Sequence, residues 1–287
     1  MLQPDLVRQI LSSMSRRVSI PVTVKCRIGA DDMDSYEELT RFISEAHLGG
    51  ANKFIIHSRK CLLNGLTTKQ NREVPPLRYE VVHRLVRDFP ELKFVLNGGL
   101  NTFEDAQLHM NPAGYQFEEE RLPAVHGVMI GRAAYSNPLL LCTADSVFFG
   151  EKDPCLSRRQ ILQRYIEYCE WCQSEDGPRR TVKGRLQTVT TAVLLNPMRN
   201  VINGIPHVQK FRMALNDLYV EKVHGMKGCV NPSPREIVRL HTFECISICI
   251  YIRLVLLDTQ ALYSSMQFVC LCADRRSDGG VAGRGFR

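Results

Sequence analysis

The sequence lacks any apolar run long enough to cross a bilayer: the longest, Ile246 to Leu257, is broken by Arg253 and falls short of the roughly twenty residues a spanning helix requires. It lacks a secretory leader as well, since Pro4 and Asp5 follow Met1 where a basic stretch and an apolar stretch would stand. Both absences predict a chain with no membrane segment and no targeting signal. Closely paired cysteines of a zinc site are missing too. The 11 cysteines are scattered, and the only Cys-x-x-Cys, Cys169 to Cys172, falls inside an apolar helical pattern. Buried structural thiols, no metal and a reducing compartment, cytoplasmic or organellar, are the reading that follows.

What is present is enough for a substantial core. At 287 residues and 44% hydrophobic, the chain has room for one large domain and a smaller one. A formal charge of +7 permits a polyanionic partner without requiring one. The most informative stretch is Lys93 to Gly99, KFVLNGG. A strand ending in paired glycines brings bare backbone N–H groups to a sheet end, where an anionic phosphate can be held with no side chain in the way. Val125 to Arg132, VHGVMIGR, ends similarly in Gly131 and Arg132. Two such strands in succession resemble the phosphate site at the last two strands of a β/α barrel.

Taken in order, the spacing of Leu6, Val7, Ile10, Leu11 and Met14 predicts a first helix. Ile20 to Ile28 reads as a buried strand carrying Lys25 near its carboxyl end. Ser35 and Glu38 form a capping box for a helix that ends at Gly49 and Gly50. Lys53 to His57 is the next strand, and a polar loop, Ser58 to Pro76, leads to a third helix stopped by Pro90. After KFVLNGG, Thr102 and Asp105 cap a short helix, and an irregular stretch precedes VHGVMIGR. Strands alternating with helices predict parallel βαβ units.

From Ser157 the patterns are helical only: one helix around Ile161 to Cys169, one around Val189 to Leu194, and one marked by Val208, Phe211, Leu215 and Leu218. The expected organisation is therefore 1–150 as a β/α domain, 151–230 as a small all-helical domain, and 231–287 as a divergent, poorly ordered tail. The helical part carries Arg179, Arg180, Lys183, Arg185, Arg199, Lys210 and Arg212 on polar positions, read first as solvated surface and second as nucleic-acid contacts.

Lys25, His57, Asn97-Gly98-Gly99 and Gly131-Arg132 all fall where parallel strands end, so the topology converges them on one face. A lysine, a histidine and a phosphate cradle suit a phosphorylated aromatic cofactor. Each has a plainer reading alone: a tight turn for the glycines, a snorkelling stem for Lys25, a satisfied rim histidine for His57. No nucleophile is demanded. Alternation turns Cys26 away from Lys25 and toward the core, and Cys61 lies in the loop after His57.

With these residues in view, the chain resembles the tRNA-dihydrouridine synthases, particularly their DusA-like branch. The matching segments are PVTVKCRIG (Pro21 to Gly29), FIIHSRK (Phe54 to Lys60), NREVPPLRYE (Asn71 to Glu80), VLNGG (Val95 to Gly99) and HGVMIGRAAYSNP (His126 to Pro138), over roughly Met1 to Tyr219. The resemblance implies the carboxyl-terminal half of a TIM (β/α)8 barrel followed by the helical domain. It implies FMN-dependent reduction of uridine to 5,6-dihydrouridine in tRNA, with NADPH or NADH as reductant. Lys25 and His57 would contact FMN; Asn97, Gly98, Gly99, Gly131 and Arg132 would hold its phosphate; Lys69, Arg72 and Arg212 would face tRNA. Another basic position of the family is Gln209 here, beside Lys210.

The family's catalytic cysteine acid lies in an Asn-x-Gly-Cys-Pro motif that these residues do not contain. The expectation is an amino-terminally truncated chain of impaired activity, with no catalytic residue of its own and with sheet edges and an apolar interior uncovered. Two other readings stand beside it: a non-catalytic RNA-binding remnant, and a different phosphate-binding barrel enzyme.

Overall fold

The computed structural model describes residues 1–182, 185–204, 206, 208–210, 212–213, 216 and 269–272. Contacts divide the chain into two compact units, 1–131 with 268–287, and 132–267.

The first unit is built on parallel strands separated by helices. Helix α1 (Pro4–Ser15) precedes β1 (Val24–Arg27) and α2 (Tyr36–Leu48). Then come β2 (Lys53–His57), α3 (Tyr79–Asp88), β3 (Lys93–Asn97) and α4 (Phe103–Met110). A hairpin, β4 (Tyr115–Phe117) and β5 (Glu120–Leu122), leads into β6 (Gly127–Ile130). Strands β1, β2, β3 and β6 lie side by side and pair in parallel. The boundaries follow local chemistry. Ser35 with Glu38, and Thr102 with Asp105, form complete capping boxes at the starts of α2 and α4, and Gly50 turns away from α2 at φ +104°.

The strands have two unlike faces. Phe54, Ile56, Phe94, Leu96, Val128 and Ile130 are all 0% exposed, with Phe54 and Phe94 stacked at 5.7 Å. On the other face Ile55, Val95 and Met129 form a separate buried cluster. Alternation along each strand produces this division. The interior expected to lie uncovered is thus buried at these three positions.

Three expectations are corrected. The strand read from Ile20 begins only at Val24, because Pro21 has no N–H to give a ladder and Ile20 stays 72% exposed. The stretch read as irregular contains the β4–β5 hairpin, whose turn at Glu118 (φ +52°) uses none of the usual Gly or Asn signals. The edge beyond β6 is also paired: Val269–Cys272, the described residues of the tail, form β9 (numbered last in the chain), antiparallel to β6. The rest of the 231–287 tail lies outside the described residues.

The second unit comprises α5 (Arg132–Ser136), a 3₁₀ turn (Pro138–Thr143), α6 (Ala144–Phe149), α7 (Arg158–Gln173), a hairpin of β7 (Arg179–Val182) and β8 (Arg185–Thr188), and α8 (Thr191–Val201). The hairpin corrects the all-helical expectation. Its runs hold β-branched Thr181, Val182 and Thr188, a composition that favours strands. Cys169 and Cys172 are buried against Leu194, and burial pushes the Cys169 thiol up to about 12, as expected for structural thiols. Tyr165 donates to the Leu194 carbonyl at 2.8 Å. Asn200 and Asn203 donate to the Tyr135 and Ser136 carbonyls, tying the end of α8 to α5. Residues 208–210, 212, 213 and 216 are helical, whereas Phe211, Leu215 and Leu218, which marked that helix, lie outside the described residues, as does Lys183.

Candidate functional site

The register sets the site. Arg27 pairs with His57, His57 with Asn97, and Asn97 with Met129, so the last residues of β1, β2 and β3 and the next-to-last of β6 form one row. The row beneath begins with Lys25 opposite Ile55 and Val95. Because positions two apart share a face, Lys25, Arg27, His57 and Asn97 all belong to the mixed face, and Cys26 belongs with Val24 on the helix side. Burial pushes the Cys26 thiol up to about 12, which leaves it neutral and unreactive.

Beyond Asn97 the chain takes two consecutive left-handed steps, Gly98 at φ +108° and Gly99 at φ +71°. A Cβ at Gly98 would lie 3.3 Å from the His57 ring, and one at Gly99 would lie 2.5 Å from Leu77 and 2.8 Å from the Tyr79 hydroxyl. Only glycine fits either step. The His57 ring therefore lies directly against the glycine turn. Asn97 works behind it: its side-chain amide donates to the Met129 carbonyl at 2.8 Å, and its own carbonyl accepts from the Ser58 amide at 2.9 Å. It locks the end of β3 to its neighbours on both sides. Gly131 follows β6 immediately, and Arg132, exposed, opens α5 in the second unit.

Lys25 is exposed, yet desolvation by the groups around it lowers its pKa; Cys26 opposes that shift and Arg27 adds to it. Desolvation lowers Arg27 also. Its guanidinium is spent on structure, donating to the carbonyls of Lys60 and Asn71 at 2.8 and 2.9 Å.

That contact organises the loop leaving β2. Buried Asn71 accepts from the Leu62 amide and donates to the Leu62 carbonyl, both at 2.8 Å. Cys61 donates to Gly29 and accepts from Asp31, zipping this loop to the one after β1, and Lys60 pairs with Asp34 at 3.2 Å. On this platform Lys69 and Arg72 are both exposed, at either end of a single 3₁₀ turn. Arg212, in the second unit, donates to the Arg199 carbonyl at 3.2 Å. Arg179 likewise donates to the carbonyls of Ser174 and Glu175.

A family model for dihydrouridine synthases matches residues 1–223. The chain belongs to the dihydrouridine synthase family. Relatives named tRNA-dihydrouridine(20/20a) synthase include one from Pasteurella multocida, 45% identical over 170 residues, covering 59% of this chain and 48% of the relative. Others are from Synechocystis, 39% identical over 217 residues (76% and 58%), and Pseudomonas aeruginosa, 40% identical over 213 residues (74% and 57%). The chain spans about half the length of the curated relatives it matches. Among the described residues of this dihydrouridine synthase family member, no helix is long and apolar enough to cross a membrane.

Within the first unit the fold places His57, Asn97, Gly98, Gly99 and Gly131 at the ends of their strands and Lys25 two residues before the end of β1. Three participants were not singled out from sequence: Arg27, Asn71 and Tyr79. Arg27 had a usable signal, since it sits two residues beyond Lys25 on the same strand and so must share its face. Asn71 and Tyr79 act through contacts across nine and nineteen residues, which no local pattern reports.

Proposed function

We propose that this chain is part of a flavoprotein that reduces uridine to 5,6-dihydrouridine in tRNA, with FMN as cofactor and NADPH or NADH as reductant. The observation that carries this reading is the paired left-handed glycine turn at the end of β3, packed against His57. A turn with no room for a Cβ and with its backbone bare fits a phosphate-bearing ligand. In this reading the strands are the carboxyl-terminal half of a (β/α)8 barrel, with Gly98, Gly99 and Gly131 around the phosphate and Asn97 holding the turn in register.

When bound, the flavin would supply the hydride that saturates the uracil 5,6 double bond. The chain's own residues bind and orient. Lys25 and His57 flank the ring system, Lys25 as a cation whose lowered pKa reflects a partly desolvated setting. Lys69, Arg72 and Arg212 meet tRNA phosphates, with the extended loop after β2 presenting the first two. We assign no catalytic acid among the 287 residues, since Cys26 lies on the helix side with its thiol near 12. Among the described residues Cys26, Cys61, Cys155, Cys169 and Cys172 are reduced thiols, which suits a reducing compartment.

The test is a titration of the purified chain with FMN and with riboflavin, followed by an assay for dihydrouridine in tRNA supplied with reduced nicotinamide. FMN binding tighter than riboflavin binding is the expected result. Equal or absent binding of both would sink the phosphate site, and salt-dependent tRNA binding without flavin would favour the RNA-binding remnant instead.

A further inference from the structure

Among the described residues not assigned to ligand or RNA, a stack of rings beside the glycine turn centres on two buried histidines. His83 and His109 are buried, and His83 Nε2 lies 3.0 Å from His109 Nδ1. His83 Nδ1 lies 2.7 Å from the Pro123 carbonyl. A carbonyl only accepts, so His83 carries its proton on Nδ1, and its Nε2 accepts from His109 Nδ1–H. Burial lowers the pKa of both rings, so both imidazoles are neutral in this arrangement. Tyr115 stacks on His83 at 4.2 Å with 7° between the planes, and Tyr79 tilts against His109 at 4.5 Å.

Tyr79 carries the stack to the site. Its hydroxyl donates to the Gly98 carbonyl at 2.9 Å and occupies the space where a Gly99 side chain would stand. The other end reaches the segment that feeds β6, through Pro123 and through the Val125 amide, which donates to the His109 carbonyl at 3.1 Å. The glycine turn after β3 is thus connected to the segment entering β6 through one continuous set of contacts.

We propose that Tyr79 is a positioning residue for the phosphate turn: its hydroxyl, braced by the His109–His83 pair, fixes the Gly98 carbonyl and with it the direction of the turn's amides. Consecutive glycines have the widest choice of backbone states of any pair. A turn that must present its N–H groups in one direction before a ligand arrives needs an external restraint, or the ligand's binding free energy is spent on ordering it. A hydrogen bond supplies that restraint directionally, where an apolar side chain would only fill space. The proposal rests on the phosphate-site reading above.

Tyr79→Phe tests it, because the ring and its contact with His109 are retained and only the donor is lost. FMN affinity is expected to fall about tenfold, equivalent to about 1.4 kcal/mol, with riboflavin affinity unchanged. Amide exchange in the flavin-free chain over residues 96–101 is expected to speed up by a similar factor, while the helices keep their protection. A parallel fall in FMN and riboflavin affinity, or no change in either affinity or exchange, overturns the proposal. If the unaltered chain prefers FMN no more than riboflavin, the phosphate reading fails by itself. The exchange result then decides whether Tyr79 orders the turn.

Discussion

The same four parallel strands carry two faces that obey different rules. Toward the helices every inward position from Phe54 to Ile130 is apolar and sealed, and nothing there can meet a ligand. On the opposite face an apolar floor of Ile55, Val95 and Met129 carries a rim of Lys25, Arg27, His57 and Asn97. One face is selected for density and the other for position. Substitutions on the first should register as stability, and those on the second as binding.

The largest effect belongs to the sealed face. Phe94→Ala empties a fully buried site that stacks on Phe54, and should lower stability by about 3–5 kcal/mol in chemical denaturation. Flavin binding should disappear only where the fold does. A loss below about 1 kcal/mol would mean that this layer is loosely packed and that the contrast between faces is overstated.

A second test uses pH and probes the polar stack behind the rim. Burial, followed by the neighbouring His83, lowers His109 to about 4 from an ordinary 6.5, with Asp105 opposing the shift, and burial lowers His83 in the same direction. The unfolded chain takes up its proton near 6.5 while the native state resists until about 4. Stability should fall as pH drops through that window and level off below it, by about 3 kcal/mol for His109 alone. Tyr79 and Tyr115, the other titratable rings against the pair, have raised pKa values and stay neutral throughout. His109→Asn keeps a donor toward His83 and should flatten the slope. An unchanged slope would place the titration elsewhere.

Smaller again is Gly99→Ala. A residue with a Cβ at φ +71° incurs about 1–2 kcal/mol of backbone strain, and the contact with Leu77 at 2.5 Å adds to it. Gly65 separates the two contributions, since it too is left-handed, at φ +87°, but has nothing within 4 Å. Gly65→Ala should show the backbone component alone and leave FMN binding intact. Equal losses at the two positions would remove the crowding argument.

Much of this division between faces was legible in the sequence. Period-two alternation in KFIIH and KFVLN assigns every residue to a face, Ser35 and Thr102 announce α2 and α4, and the paired glycines of Lys93 to Gly99 mark a turn that admits no side chain. What stayed hidden depends on partners far along the chain or on turns without the usual residues. Glu118 makes the β4–β5 turn at φ +52° with no glycine to signal it. Tyr79 carries no local signal, and only the fold, which places it at the start of α3, brings its hydroxyl to Gly98. Arg27 reads as one more basic residue, until the loop carrying Lys60 and Asn71 closes over it. Local patterns encode which face a residue takes, whereas the rim's working contacts are made between loops.

The finest test of the comparison is Lys25→Met. Methionine keeps most of the unbranched stem and removes only the charge, and the side chain is exposed, so stability should move by no more than about 0.5 kcal/mol. Yet Lys25 stands on the face that bears His57, in the row of Ile55 and Val95, where desolvation already disfavours its ammonium. A cation held under those conditions gains most from a ligand that offers an acceptor. Binding of either flavin should therefore weaken, by roughly tenfold if one charge-assisted hydrogen bond is lost. Because Lys25 faces the ring rather than the phosphate in this reading, FMN and riboflavin should suffer alike, the opposite of the pattern expected for Tyr79→Phe. A selective loss of FMN would move Lys25 to the phosphate, and a loss of stability without a change in binding would return it to an ordinary surface lysine.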